Sequence, residues 1–268
     1  MKIQNCKKMV STLIAGVVLA GLAGSVSAQT IIYSDGFTGS AGSLNGRAPE
    51  TRSGTDGGSG SATWVTSGPG TISLTGGGMA SIPVVGGGSP SYATLPFVPT
   101  SGKVYELTVD LNPINAANSN WLAMGFSSGT TPSIANSVPW MLYREEGDGN
   151  AFNQGTSSTF GSFGTVGSTS DPMKITFTLD TTQAAWSATL SVFNLTTQTA
   201  VVVGTPTFNY GGSLGIQSVF ISAWAGGAGD FDNFSLSVVP EPSTCALLLG
   251  GIGIVSVWQG MRNRAGKA

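Results

Sequence analysis

The chain has 268 residues, of which 40 are glycine, none is histidine and only 9% are charged. Without histidine there is no Ser-His-Asp triad, no imidazole general base and no imidazole ligand for zinc or copper. The formal charge of −2 hides a segregation, because residues 29–239 carry 5 basic against 12 acidic side chains, a net of −7, and an acidic middle argues against nucleic acid as a partner.

The first element is a leader. Lys2, Lys7 and Lys8 give it a positive start, Met9 to Gly24 is apolar, and Val26-Ser27-Ala28 is a small-residue cleavage site. Cleavage between Ala28 and Gln29 is expected, leaving a mature chain outside the cytoplasm. Of the two cysteines, Cys6 lies in this leader and Cys245 in the terminal apolar run. The region between them can therefore build neither a disulfide framework nor a cysteine zinc site.

From residue 29 onward, period-two alternation replaces any helical period. "KVYELTVDL" sets Tyr105, Leu107, Val109 and Leu111 on one face, and "KITFTLD" does so with Ile175, Phe177 and Leu179. "WSATLSVF" aligns Trp186, Ala188, Leu190 and Val192, and "FDNFSLSVV" aligns Phe234, Leu236 and Val238. Further strands are predicted at 31–34, 62–66, 71–75, 121–126, 140–145, 200–203 and 219–224. Short strands with one apolar face and no helices predict an all-β, jelly-roll-like antiparallel sandwich. The runs 53–61 and 153–170 read as flexible loops.

Two acidic groups stand out as candidate sites. "REEGDGN" gathers Glu145, Glu146 and Asp148, and "GDFDN" gathers Asp230 and Asp232. Either could offer oxygen ligands to calcium, although neither has the spacing of a twelve-residue calcium loop. A glycosidase needs only two carboxylates, but adjacent Glu145 and Glu146 would point to opposite faces of a strand. Trp64, Trp121, Trp140, Trp186 and Trp224 lie in apolar strand patterns, where packing is the first expectation and sugar stacking the second. No catalytic residue and no obligatory cofactor follows from the sequence.

"YSDGFTGSAGSLNGRAPE", the following Trp64, "YELTVDLNP…WLAMGFSS", "PWMLYREEG" and the closing "FDNFSLSVVPEPS" together resemble concanavalin A-like, or laminin G-like, sandwiches. The resemblance covers most of residues 31–239 and implies a sandwich ectodomain.

The final element is the segment 238–268. It holds the Pro240-Glu241-Pro242 triplet at 240–242, an apolar run at 245–261 and a basic tail at 262–268 with Arg262, Arg264 and Lys267. A helix over that run would be about 26 Å long, just enough to cross the hydrocarbon. The basic tail marks its cytoplasmic side. The two prolines forbid a continuous helix from the sandwich into the span, which leaves Glu241 in an extended spacer. Motif, span and basic end, in this order, resemble the PEP-CTERM sorting signal of exopolysaccharide-producing Gram-negative bacteria. That resemblance implies a substrate of exosortase, held in the membrane and then released.

The expected organisation is a signal peptide (1–28), a sandwich ectodomain (29–237) and a sorting signal (238–268). The expected function is that of a non-enzymatic envelope or biofilm-matrix protein, first anchored in the inner membrane, then at the cell surface or in the extracellular matrix. Export machinery, exosortase and the membrane are its partners, with polysaccharide a further one. The alternative is a carbohydrate-binding, lectin-like module, calcium-assisted or not, and behind it a glycosidase.

Overall fold

Alternating apolar residues need a partner surface, and the chain supplies it by folding its strands into two facing sheets. The computed structural model describes residues 29–82, 88–115, 121–144, 147–156, 158–164, 171–224 and 228–240. Its strands begin with β1 (Thr30–Asp35), β2 (Gly42–Ser43), β3 (Thr51–Arg52), β4 (Val65–Ser67), β5 (Ser73–Leu74) and β6 (Ala80–Ile82). Then come β7 (Ser91–Pro96), β8 (Val104–Asn115), β9 (Trp121–Ser127), β10 (Ser137–Arg144), β11 (Gly149–Gln154) and β12 (Ser158–Phe163). The last are β13 (Met173–Asp180), β14 (Ser187–Asn194), β15 (Thr199–Val201), β16 (Thr207–Asn209), β17 (Ser218–Ala223) and β18 (Ala228–Val239). One turn of 3-10 helix, Ile134–Asn136, precedes β10.

An eleven-stranded sheet runs β15-β14-β13-β8-β18-β6-β5-β2, with β1 and β3 attached at β18 and β16 at β14. A seven-stranded sheet runs β12-β11-β10-β9-β17-β7-β4. The pairings are antiparallel, as the alternation predicts, for example Phe177 opposite Leu107 and Ile175 opposite Val109. The predicted inward residues of β8, β13 and β14 are buried, as is Trp186 just before β14. They meet Met124, Phe126, Met141, Tyr143, Val219 and Ile221 from the other sheet in one continuous core. Each such side chain contributes about 1.5–3 kcal/mol by leaving water.

Strand β18 departs from simple alternation. Phe231 and Phe234, three residues apart, are both buried, because the register against β8 shifts between Asp232 and Ser235. Asn233, at φ 50, takes up the extra residue of this bulge. Alternation alone identifies Phe234, Leu236 and Val238 but not Phe231.

Sequence and structure also differ in the loops. The glycine-rich run 53–61, read as flexible from its composition, is pinned: Ser53 N–H donates to Ile32 O (2.8 Å), and Val98 N–H donates to Gly57 O (3.0 Å). Gly57 has φ +92, and a Cβ there would lie 2.1 Å from Val98 O, so this approach needs glycine. Part of the run 153–170 forms strand β12, and residues 165–170 lie outside the described ones. The sequence pattern likewise gives no sign of β2, β3, β6, β7, β11 and β16. These strands are short, or are carried by small and polar residues without a strict apolar period.

Candidate functional surfaces

The motif "YSDGFTGSAGSLNGRAPE" folds around one carboxylate. Asp35, whose side chain is fully buried, accepts hydrogen bonds from Phe37 N–H (2.8 Å), the Trp64 indole N–H (2.8 Å) and Arg47 Nη1 (3.0 and 3.1 Å). Burial pushes the Asp35 carboxyl up, and these donors oppose the rise. Arg47 also donates to Thr38 O (2.7 Å). Glu50 accepts from the Thr38 hydroxyl and from the Thr38 and Gly36 N–H groups, which hold its carboxyl below the usual range. Trp64 then packs edge-on against Phe234 with ring centroids 5.0 Å apart. No buried side-chain polar atom of this knot lacks a hydrogen-bond partner, and the knot closes the first loop onto the core. Only the Asp35, Arg47 and Trp64 spacing could have betrayed it in the sequence.

Of the first acidic candidate, Glu145 and Glu146 lie outside the described residues. Asp148 stands in the β10–β11 turn, where Arg144 Nη1 donates to Asp148 Oδ2 and to Asn150 Oδ1, both at 2.9 Å. Asp148 Oδ1 is buried and has no hydrogen-bond partner among the described residues.

The second candidate sits on the outer face of the eleven-stranded sheet. Asp232 lies directly opposite Asp110 on β8, and Asp230 opposite Asn112. Asp110 accepts from Asn233 Nδ2 (2.8 Å) and faces Lys174 Nζ at 3.7 Å. Burial pushes the Asp232 carboxyl up, and the charges of Asp110 and Glu50 add to this. Burial also raises Asp230. Among the described residues no group of three or more Asp, Glu, Cys or His side chains comes together to hold a metal ion.

The tryptophans divide. Trp64 and Trp186 belong to the central core, whereas Trp121, Trp140 and Trp224 join Tyr92, Phe152 and Phe220 in a second cluster. This cluster lies on the outer face of the seven-stranded sheet, since its members alternate with core residues along β7, β9, β10 and β17. Trp140 stacks on Phe152 (4.7 Å), Trp121 meets Trp140 (5.8 Å) and Trp224 (5.6 Å), and Tyr92 meets Phe220 edge-on (5.5 Å). The Trp140 indole donates to Gly155 O at 2.6 Å. The Tyr92 hydroxyl is buried with no hydrogen-bond partner among the described residues, and burial holds it well above the usual phenol range.

At the opposite end of this sheet from the β10–β11 turn, beside the edge strand β4, lies a cleft of about 330 Å³. Its walls come from the 53–63 loop, the ends of β7 and β17, and the loop after β9.

Of the sorting and cleavage residues, Gln29 and Pro240 are described, while Ala28, Glu241, Pro242, Arg262, Arg264 and Lys267 lie outside the described residues, as does the 245–261 run. Among the described residues no helix is long and apolar enough to cross a membrane.

No family model and no curated protein matches the sequence. Among solved structures, the carbohydrate recognition domain of Emp46p in its metal-free form aligns with a TM-score of 0.43 at 14% identity, over 65% of this chain and 87% of that one. The exoplasmic/lumenal domain of VIP36, bound to Ca2+ and Man3GlcNAc, aligns at 0.45 and 9%, over 67% and 88%. Winged bean acidic lectin complexed with methyl-alpha-D-galactose aligns at 0.46 and 8%, over 74% and 98%.

Proposed function

We propose that this protein is an exported, non-enzymatic component of the cell envelope or exopolysaccharide matrix, held briefly in the inner membrane and released when an exosortase processes its C-terminal signal. The observation that carries this reading is the order of the last forty residues. The final strand β18 ends at Val239, and Pro240 opens the triplet directly after it, followed by the apolar run and the basic tail. Strand pairing thus ends at Val239, immediately before the triplet that a membrane-bound processing enzyme would read. Asp35, Arg47 and Trp64, which belong to the first of the segments that carry the sandwich resemblance, lock the first loop onto the core, in keeping with a structural role.

The test is intact-mass analysis of the protein recovered from outside the cell. The mature chain is expected to start at Gln29 and to lack Arg262, Arg264 and Lys267. Replacing Glu241 by Ala, or both Pro240 and Pro242 by Ala, is expected to retain the tail and the membrane association. A released protein still ending in Lys267-Ala268 overturns the processing.

A further inference from the structure

The last strand of the seven-stranded sheet, β4, is sealed by a short stretch of chain that also holds the only Asn-Gly pair in the sequence, Asn45-Gly46. Residues 65–67 of β4 pair with β7. Alongside this strand, Gly46 N–H donates to Trp64 O (2.7 Å) and Trp64 N–H to Arg47 O (2.8 Å). Two residues on, Thr66 N–H donates to Asn45 Oδ1 (3.0 Å), so a side-chain amide takes the place of a neighbouring strand's carbonyl. Unpaired edge groups invite pairing with another chain, and this seal uses them up. It is anchored on both sides: Leu44 is fully buried, with its N–H on Ile72 O (3.1 Å), and Arg47 is held by Asp35. Asn45 and Gly46 themselves are exposed.

An Asn-Gly pair carries a reaction of its own. The Gly46 nitrogen attacks Asn45 Cγ, an approach that glycine leaves open because it has no Cβ. A C–N bond closes a five-membered succinimide, and Nδ2 leaves as ammonia with the proton from the attacking nitrogen. Water then opens the ring at either carbonyl and leaves aspartate or isoaspartate. No oxidant, metal or enzyme takes part. In the folded protein, however, both reacting groups are engaged: the Gly46 N–H on Trp64 O, and the Asn45 amide on Thr66 N–H. The ring closes only after both hydrogen bonds have opened.

We infer that Asn45 is a site of spontaneous deamidation gated by the edge seal of β4. While the seal is shut the residue is protected, and each local opening exposes it to cyclisation. The isoaspartate product runs the main chain through the former side-chain carbon and lengthens it by one atom. The seal then does not re-form, and the edge of β4 is left open. This inference concerns the sandwich alone and does not rest on the sorting signal.

The experiment incubates the full-length protein in detergent at mildly alkaline pH, with and without urea. Trypsin releases a peptide ending at Arg47 in which Asn45 is the only asparagine, and chromatography with mass spectrometry separates its Asn, Asp and isoAsp forms. Asn45 converts in urea, and at least about tenfold more slowly in the folded protein, because two hydrogen bonds must open together. Cyclisation and amide hydrogen exchange both begin with loss of the Gly46 proton, so the slowing matches the protection of that amide measured by NMR. Thr66→Pro removes the N–H that holds Asn45, at an edge position where proline is tolerated, and speeds the folded-state conversion about fivefold, the equivalent of one hydrogen bond. Thermal melts report whether that variant keeps the fold; if it does not, the exchange comparison in the unmodified protein decides alone. Equal rates in the folded protein and in urea, or a folded-state rate that does not follow Gly46 exchange, overturn the inference. Either result leaves the proposed processing at Pro240–Pro242 untouched, since that is read from the mass of the exported chain.

Discussion

The two sheets follow different rules. In the eleven-stranded sheet β13 alternates strictly between buried and half-buried residues, and β14 keeps the same alternation. In the seven-stranded sheet β9 and β17 are buried at every position, and β10 at all but its last. One sheet has a core face and a polar face, while the other has a core face and an aromatic one. An antiparallel sheet with one wet face needs only alternation, whereas a sheet buried on both faces needs apolar side chains at consecutive positions. The contrast places hydroxyls and carboxylates on the back of the larger sheet and indoles on the back of the smaller.

The largest expected effect attacks the knot that closes the larger sheet. Asp35→Ala strips Arg47 and the Trp64 indole of their buried partner and is expected to cost about 3–5 kcal/mol, read as a loss of unfolding free energy in urea. Next comes the aromatic layer. Trp140→Ala is expected to cost about 3–4 kcal/mol, as in a core, because its ring is stacked and its N–H is bonded. A cost under about 1 kcal/mol would show that this face is surface in solution, and the contrast between the sheets would fall.

Gly125 tests the same layer from below. It lies directly opposite Trp140, and a Cβ would come within 2.5 Å of both Pro139 O and Trp140 Cβ. Gly125→Ala is therefore expected to cost about 1–3 kcal/mol through overpacking, measured as a lower midpoint in thermal unfolding.

The smallest effect belongs to the polar back of the larger sheet and has the opposite sign. Asp232 faces Asp110 across the strand pair, so Asp232→Asn is expected to stabilise by about 0.5 kcal/mol, reduced by solvent screening. Because its folded carboxyl is raised, Asp232 adds stability below the ordinary carboxylate range and withdraws it as pH rises through the folded value. The gain from Asn is thus present near neutral pH and fades in acid, which urea titrations of both proteins at the two pH values would read.

Much of the larger sheet was legible from residue order. Tyr105, Leu107, Val109 and Leu111 face the core as their spacing requires, and so do Ile175, Phe177 and Leu179. Phe231 was not legible, because a bulge breaks the period just where two phenylalanines are three residues apart. The division of the tryptophans was not legible either, since a strand buried on both faces has no period to distinguish one face from the other. The cleft left the least trace: Ser59, Thr94, Thr130 and Gln217 are far apart in the chain and ordinary in type.

By itself the sequence determined the absence of imidazole chemistry, the lack of any cysteine between residues 29 and 239, the all-β character, and the ordered succession of an apolar start with basic flank, an acidic middle and a Pro-Glu-Pro tail. These depend on composition and on neighbours a few residues apart, which a linear text records. Only the tertiary structure decided that Asp35 holds Trp64, that Trp140 lies against Gly125 and Phe152, and that serines, threonines and one glutamine line a common cleft. Those groupings arise from strand order and register, and antiparallel pairing brings together residues that are remote in sequence.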